Sequence, residues 1–179
     1  VESVTTLVLT VIGDDRSGLV EALAGTVTRH GGNWNRSSMA RLGTKFAGIV
    51  EISVSEDHLD GLIDELEPLQ SRGLLHITAE RVTEAPSPVA SEARWHLHLV
   101  GQDRPGIVHE IAHALARNGV SIEELQTSTI SAPMSGETLF EATAVLVATT
   151  GAARTALAAD LEALANELRV RDEVERRLA

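Results

Sequence analysis

An internal repeat constrains the possible folds of this chain more than any other feature of its sequence. The segment VIGDDRSGLVEALAGTVTRHGG, beginning at Val11, aligns without a gap on LVGQDRPGIVHEIAHALARNGV, beginning at Leu99, a constant offset of 88. Gly13 meets Gly101, Asp15 meets Asp103, Arg16 meets Arg104, Gly18 meets Gly106 and Gly31 meets Gly119. One Gly-x-Asp-Arg-x-Gly string is weak evidence. The same string twice, each time between a strand pattern and a helix pattern, marks a duplication. The 179 residues then divide into two domains of about 80 residues each, near the small end for independent folding. Residues 84–93, EAPSPVASEA, hold two prolines among small polar residues and suit a linker. The expected domains are therefore 1–83 and 94–179.

Periodicity supplies the elements. Leu7, Leu9 and Val11 alternate as on one face of a strand, and Val20, Leu23, Ala24 and Val27 follow helical spacing. Trp95, Leu97 and Leu99, then Val108, Ile111, Ala112 and Leu115, repeat the pair. Asn33–Leu42 and Lys45–Ser55 read as a hairpin turning at Gly43, with Val50, Ile52 and Val54 facing inward. A second helix carries Leu59, Leu62, Ile63 and Leu66, and a last strand runs from Leu74 to Val82. The second half echoes this through Val120–Ser131, Thr138–Thr149, a helix bearing Leu157, Leu161, Leu164 and Leu168, and a segment around Val170. By pattern alone that last segment fits strand or helix, and the repeat favours strand. Glu51 aligns best with Glu141, which makes the second hairpin loop two residues longer. The order βαββαβ, twice, gives an α+β chain of two ferredoxin-like domains, each an antiparallel sheet with helices on one face. Since that fold hosts many functions, the site must carry the functional argument.

Each Gly-x-Asp-Arg-x-Gly string ends a buried strand and opens a helix, whose first N–H groups lack intrahelical partners and favour an anion. An α-amino acid offers such a turn its carboxylate, and offers its ammonium to Asp15 or Asp103. Arg16 or Arg104 is placed to clamp a carboxylate, and Gly18 or Gly106 to admit a close approach. Asn33 and Asn35 in one half, Ser121 and Glu123 in the other, enter the next strand as polar residues that would complete each pocket. A simpler account has the Asp cap the helix and Pro105 occupy an early helical position.

Asp103-Arg104-Pro105-Gly106 resembles the Asp/Asn-x-Pro-Gly turn common in the ACT domain family, and Asp15-Arg16-Ser17-Gly18 departs from it at Ser17. The likeness covers nearly the whole chain, and the tandem layout is similar to the glycine cleavage system repressor group of free-standing ACT proteins. The resemblance implies amino-acid binding between paired domains near the turn, with occupancy altering a partner protein. Its implied contacts are Asp15, Arg16 and Gly18, and Asp103, Arg104 and Gly106. It implies no catalysis and no cofactor, and a protein partner in trans. A homodimer through exposed strand edges is a further expectation.

Other motifs are weaker. His109-Glu110-Ile111-Ala112-His113 has the H-E-x-x-H spacing of a zinc hydrolase, yet both histidines flank the apolar stripe, no third ligand follows from spacing, and a solvated helix flank is expected. His96 and His98 share one strand face and read as a partly exposed surface rather than a metal site. Trp34 and Trp95 read as packing residues, and no serine has a partnered His and Asp. A net charge of −11 argues against direct nucleic-acid binding. The absence of cysteine fits a reducing cytoplasm. No signal-peptide pattern occurs, nor any apolar run of the roughly 18 residues that span a membrane. The Ala/Leu-rich stretch from Gly151 to Leu168, with Asp160, Glu162 and Glu167 in it, reads as a covering helix rather than a membrane-surface one. The competing functional classes are thus a sensor, a zinc hydrolase and a structural adaptor.

Overall fold

The computed structural model describes residues 3–83, 93–132, 136–148, 154–165 and 167–172. The chain divides into two compact units, Val1–Ala85 and Pro86–Ala179. Of the expected linker, 84–92 lie outside the described residues, and Ala93 already opens a strand.

The first unit runs β1 (Val4–Asp14), α1 (Leu19–Arg29), β2 (Asn33–Leu42), β3 (Lys45–Ser55), α2 (Glu56–Ser71) and β4 (His76–Arg81). The second runs β5 (Ala93–Gln102), α3 (Ile107–Arg117), β6 (Val120–Ser131), β7 (Thr138–Ala148), α4 (Arg154–Glu162) and β8 (Glu167–Asp172). Sheet order is β2-β3-β1-β4 in one and β6-β7-β5-β8 in the other, with every pairing antiparallel. This is the ferredoxin-like arrangement expected from the pattern. β8 resolves the ambiguity around Val170 in favour of a strand, with Val170 opposite Leu97.

Alternation decides the cores. Leu7, Leu9, Val11, Val50, Ile52 and Val54 are all buried and pack with Leu23, Val27, Leu59, Leu62 and Leu66 from the helices. In the second unit, Ala142, Ala144 and Ala148 line β7, and bulk returns through Trp95, Phe140 and Leu146. Trp95 stands where the first unit has Leu7, opposite Leu146, and its bulk offsets the alanines on either side of Leu146 along β7. Both tryptophans pack as expected, Trp95 within its core and Trp34 against the other.

Three details differ from the sequence pattern. The α1 and α3 stripes keep Leu23, Val27, Ile111 and Leu115 but begin one residue earlier than expected: Leu19 and Ile107 are buried, whereas Val20 and Val108 are 44% exposed. Each of these helices starts directly after a glycine in left-handed conformation, so the first helical residue, not the second, turns inward. Ile63 likewise lies on an exposed flank of α2. The α4 helix ends at Glu162, with the Leu164 N–H turning back to the Leu161 carbonyl, so Leu164 lies beyond the helix and Leu168 lies on β8, opposite Leu99. Finally, Leu7 pairs with Ile52 and Trp95 with Leu146. Glu51 therefore corresponds to Val145, not Glu141, and the second hairpin is longer by six residues rather than two. Burial of Ile52 and Leu146 fixes that register, because a slip would turn every side chain to the other face.

Candidate functional site

The two Gly-x-Asp-Arg-x-Gly strings form matching strand-to-helix turns, and their two glycines do different work. A Cβ on Gly13 would lie 2.3 Å from the Leu74 carbonyl oxygen, and one on Gly101 would lie 2.7 Å from that of Leu164. The first glycine is thus required by the loop leading into β4 or β8, which crosses the strand at backbone contact. Gly18 and Gly106 have φ of 88° and 90° and nothing within 4 Å of an added Cβ. Only the backbone conformation demands glycine there, and the space beside it is open.

Gly18 and Gly106 are the N-caps of α1 and α3, and neither helix has a side-chain capping hydrogen bond. The account in which Asp15 or Asp103 caps the helix is therefore wrong, and Pro105 precedes the cap instead of occupying the first turn. The Asp backbones are pinned elsewhere: Asp15 N–H donates to the Thr44 carbonyl at 2.9 Å and Asp103 N–H to that of Thr138 at 3.2 Å. Each hairpin turn is thereby held beside its strand-to-helix turn, and both Asp side chains are exposed at the rim.

Their charged neighbours differ between the units. Asp15 lies 3.6 Å from Arg41; the repeat places Thr129 at the corresponding position of β6. Arg16 reaches only the Gly73 carbonyl, at 3.4 Å. Arg104 donates two hydrogen bonds, both 2.5 Å, to the two carboxylate oxygens of Glu110; Ala22 stands at that position in the first unit. Hydrogen bonding to Arg104 holds the Glu110 carboxyl below its ordinary value of 4.5. Among the described residues, Arg16 of the first turn thus makes no carboxylate ion pair and only acts on Asp14 through its charge, whereas Arg104 of the second is bonded to Glu110. Neither Arg41 nor Glu110 is signalled by sequence, because both pairings are made by residues with no helical or strand spacing to the turn.

The remaining predicted residues lie apart from the turns within each unit. Asn33 pairs with Ser53, which pairs with Thr6, eight positions before Asp14 on β1, a separation of roughly 25 Å along the strand. Ser121 pairs with Val147, which pairs with Arg94, eight positions before Gln102. Asn35 and Glu123 are the extra residues of β-bulges at equivalent places, between Trp34 and Arg36 and between Ile122 and Glu124. Asn35 accepts from Asn33 at 2.8 Å and from Ser53 at 3.2 Å. Both oxygens of Glu123 accept from Arg94, at 2.7 and 2.8 Å. Asn33, Asn35, Ser121 and Glu123 do not meet the Asp-Arg turn of their own unit.

The H-E-x-x-H segment lies on the exposed flank of α3. Its Glu110, where a zinc hydrolase would carry its general base, is ion-paired with Arg104. Among the described residues no group of three or more His, Asp or Glu side chains is arranged to hold a metal. On the sheet of the same unit, His98 Nε2 lies 2.9 Å from Glu141 Oε1 and His96 is half-buried. Also among the described residues, no helix is long and apolar enough to cross a membrane.

A model of the ACT domain matches residues 5–79 and again residues 97–175. The chain belongs to the ACT domain family. Glycine cleavage system transcriptional repressors from Escherichia coli (strain K12) and Shigella flexneri are each 30% identical to it over 124 residues, 69% of this chain and 64% of theirs. The match therefore spans just under two thirds of those relatives. A crystal structure of a protein of unknown function from Galdieria sulphuraria superposes with a TM-score of 0.75 at 27% identity, covering 95% of this chain and 99% of that one. A second crystal structure, provisionally assigned as a glycine cleavage system transcriptional repressor, gives a TM-score of 0.66 at 20% identity with the same coverage; at that identity the likeness concerns fold alone. The two ACT domains are thus the two repeats, each with its Asp-Arg turn between first strand and first helix.

Proposed function

We propose that this tandem ACT protein binds an amino acid or a related small zwitterion at its Asp-Arg turns and signals occupancy to a protein partner in trans, without catalysis of its own. The observation that carries the reading is the duplicated turn: an open left-handed glycine, helix N–H groups with no side-chain cap, and an aspartate and an arginine beside them. A zwitterion needs both signs of charge, and each turn carries an aspartate and an arginine, with Asp15 already near Arg41 and Arg104 already bonded to Glu110. Membership of the ACT family supports a regulatory role, and similarity to proteins named as glycine cleavage repressors supports a place in the control of amino-acid metabolism. With a net charge of −11, contact with a gene would run through the partner rather than directly. A cytoplasmic setting and a homodimer through the exposed edges of β2 and β6 belong to the same proposal.

The adaptor reading keeps one observation in its favour. The helix-free face of the first sheet exposes Ile12 at 43% and Ile49 at 53%, an apolar surface that suits protein contact as readily as sensing. Thermal unfolding in the presence of each amino acid separates the two. A ligand held only by the folded state raises the melting temperature with its concentration. The sensor predicts a selective, saturable rise; no rise with any amino acid would leave the adaptor.

A further inference from the structure

We propose that His109 and His113 form a two-point site for an exchangeable divalent transition-metal ion, such as zinc, nickel or copper, on the outer flank of α3. The residues stand at i and i+4, so one helix face carries both rings. The rings are nearly parallel, 22° apart, with centroids separated by 6.4 Å, and both side chains are exposed. An ion bonded to one nitrogen of each ring at about 2.1 Å would bring the centroids to about 4.5–5.5 Å. The rings must turn about their side-chain bonds until one nitrogen of each points at a common ion, and both, being exposed, have room to do so. Neutral imidazole suits these ions.

The surroundings do not oppose a cation. The rings border a groove of about 330 Å3, also lined by Glu110, Arg117, Asp160 and Leu164. Arg117 is paired with Asp160 at 2.8 Å and Arg104 with Glu110 at 2.5 Å, so both guanidiniums near the rings are neutralised. The excess of acidic over basic residues in the chain attracts cations generally. Two protein ligands leave the other coordination positions to water or to a second molecule. The site therefore exchanges its metal rather than holding it as a resident cofactor, and with Glu110 engaged it has no hydrolytic base. The duplication supplies an internal control: α1 has Glu21 and Gly25 at the equivalent positions.

Calorimetric titration of the untagged, metal-stripped full chain with zinc chloride near neutral pH tests this directly. The expected result is saturable binding of one equivalent, lost in His109→Ala and in His113→Ala and retained when His96 and His98 are both changed to Ala. Installing Glu21→His with Gly25→His in α1 should add a second equivalent; the position has room, since the nearest atom to a Cβ on Gly25 is Arg29 Nη1 at 3.5 Å. Absence of binding by the wild type would overturn the proposal. So would zinc binding that survives in a His109→Ala/His113→Ala variant whose circular dichroism shows an intact fold, or a folded α1 variant that gains no equivalent. None of these readouts depends on the amino-acid sites.

Discussion

At the scale of single residues, the two glycines of each turn make opposite predictions. Gly13→Ala and Gly101→Ala drive a methyl group into a backbone carbonyl and should cost about 1–3 kcal/mol, the range for overpacking. Gly18→Ala and Gly106→Ala meet no atom, and their cost is that of a left-handed alanine, roughly 1–2 kcal/mol. Urea unfolding measures both, and only the second pair should also weaken ligand binding. The charged residues separate the two turns further. Arg16→Ala should weaken amino-acid binding to the first domain by roughly ten- to a hundredfold, the worth of a charge-assisted hydrogen bond. Arg104→Ala should change binding to the second domain little, because Glu110 already occupies that guanidinium. Correspondingly, Asp103→Ala should cost more than Asp15→Ala, whose carboxylate lies near Arg41. Titrations of each variant read these differences; equal losses at both turns would show that the intramolecular pairs yield to the ligand. The turn itself is legible in the sequence because its residues are contiguous. Its charge balance is not, since Arg41 and Glu110 are brought in by folding.

At the scale of elements, a polar clasp joins the helices of each domain. Arg29 bonds to Glu65 at 3.0 Å with His30 at 3.3 Å from the same carboxylate, and in the second domain Arg117 and Asn118 both bond to Asp160 at 2.8 Å. Hydrogen bonding to Arg29 holds Glu65 below 4.5, and hydrogen bonding to Asn118 and then Arg117 holds Asp160 below 3.8. Carboxyls depressed in the folded state stabilise it above their unfolded pKa, and that stability is lost as pH falls through the folded value. Melting temperature should therefore be level near neutrality and decline below about pH 4.5; Glu65→Gln should flatten part of the decline. The clasps are exposed, so each contribution is small. Elements themselves were largely legible: alternation placed Leu7, Leu9 and Val11, and the repeat carried β8. Only the first position of the α1 and α3 stripes is not legible, because Leu19–Val20 and Ile107–Val108 are adjacent apolar pairs and periodicity cannot choose between neighbours. The hairpin offset is not legible, because matching Glu51 to Glu141 rewards chemical likeness whereas strand register is fixed by buried Ile52 and Leu146.

For the whole molecule, duplication is the organising fact. Two ACT domains with the same fold and turn, but different charge pairing, hairpin length and α3 flank, have been free to diverge around one scaffold. Sensing follows if the amino acid binds one arrangement of domains or partners better than another, since equal affinity shifts no equilibrium. The most direct test is calorimetric titration with the amino acid that most stabilises the wild type, repeated on a folded Asp15→Ala/Asp103→Ala variant. The account predicts saturable binding by the wild type and its loss in the variant. Unchanged affinity in the variant, or no binding by the wild type, would contradict it.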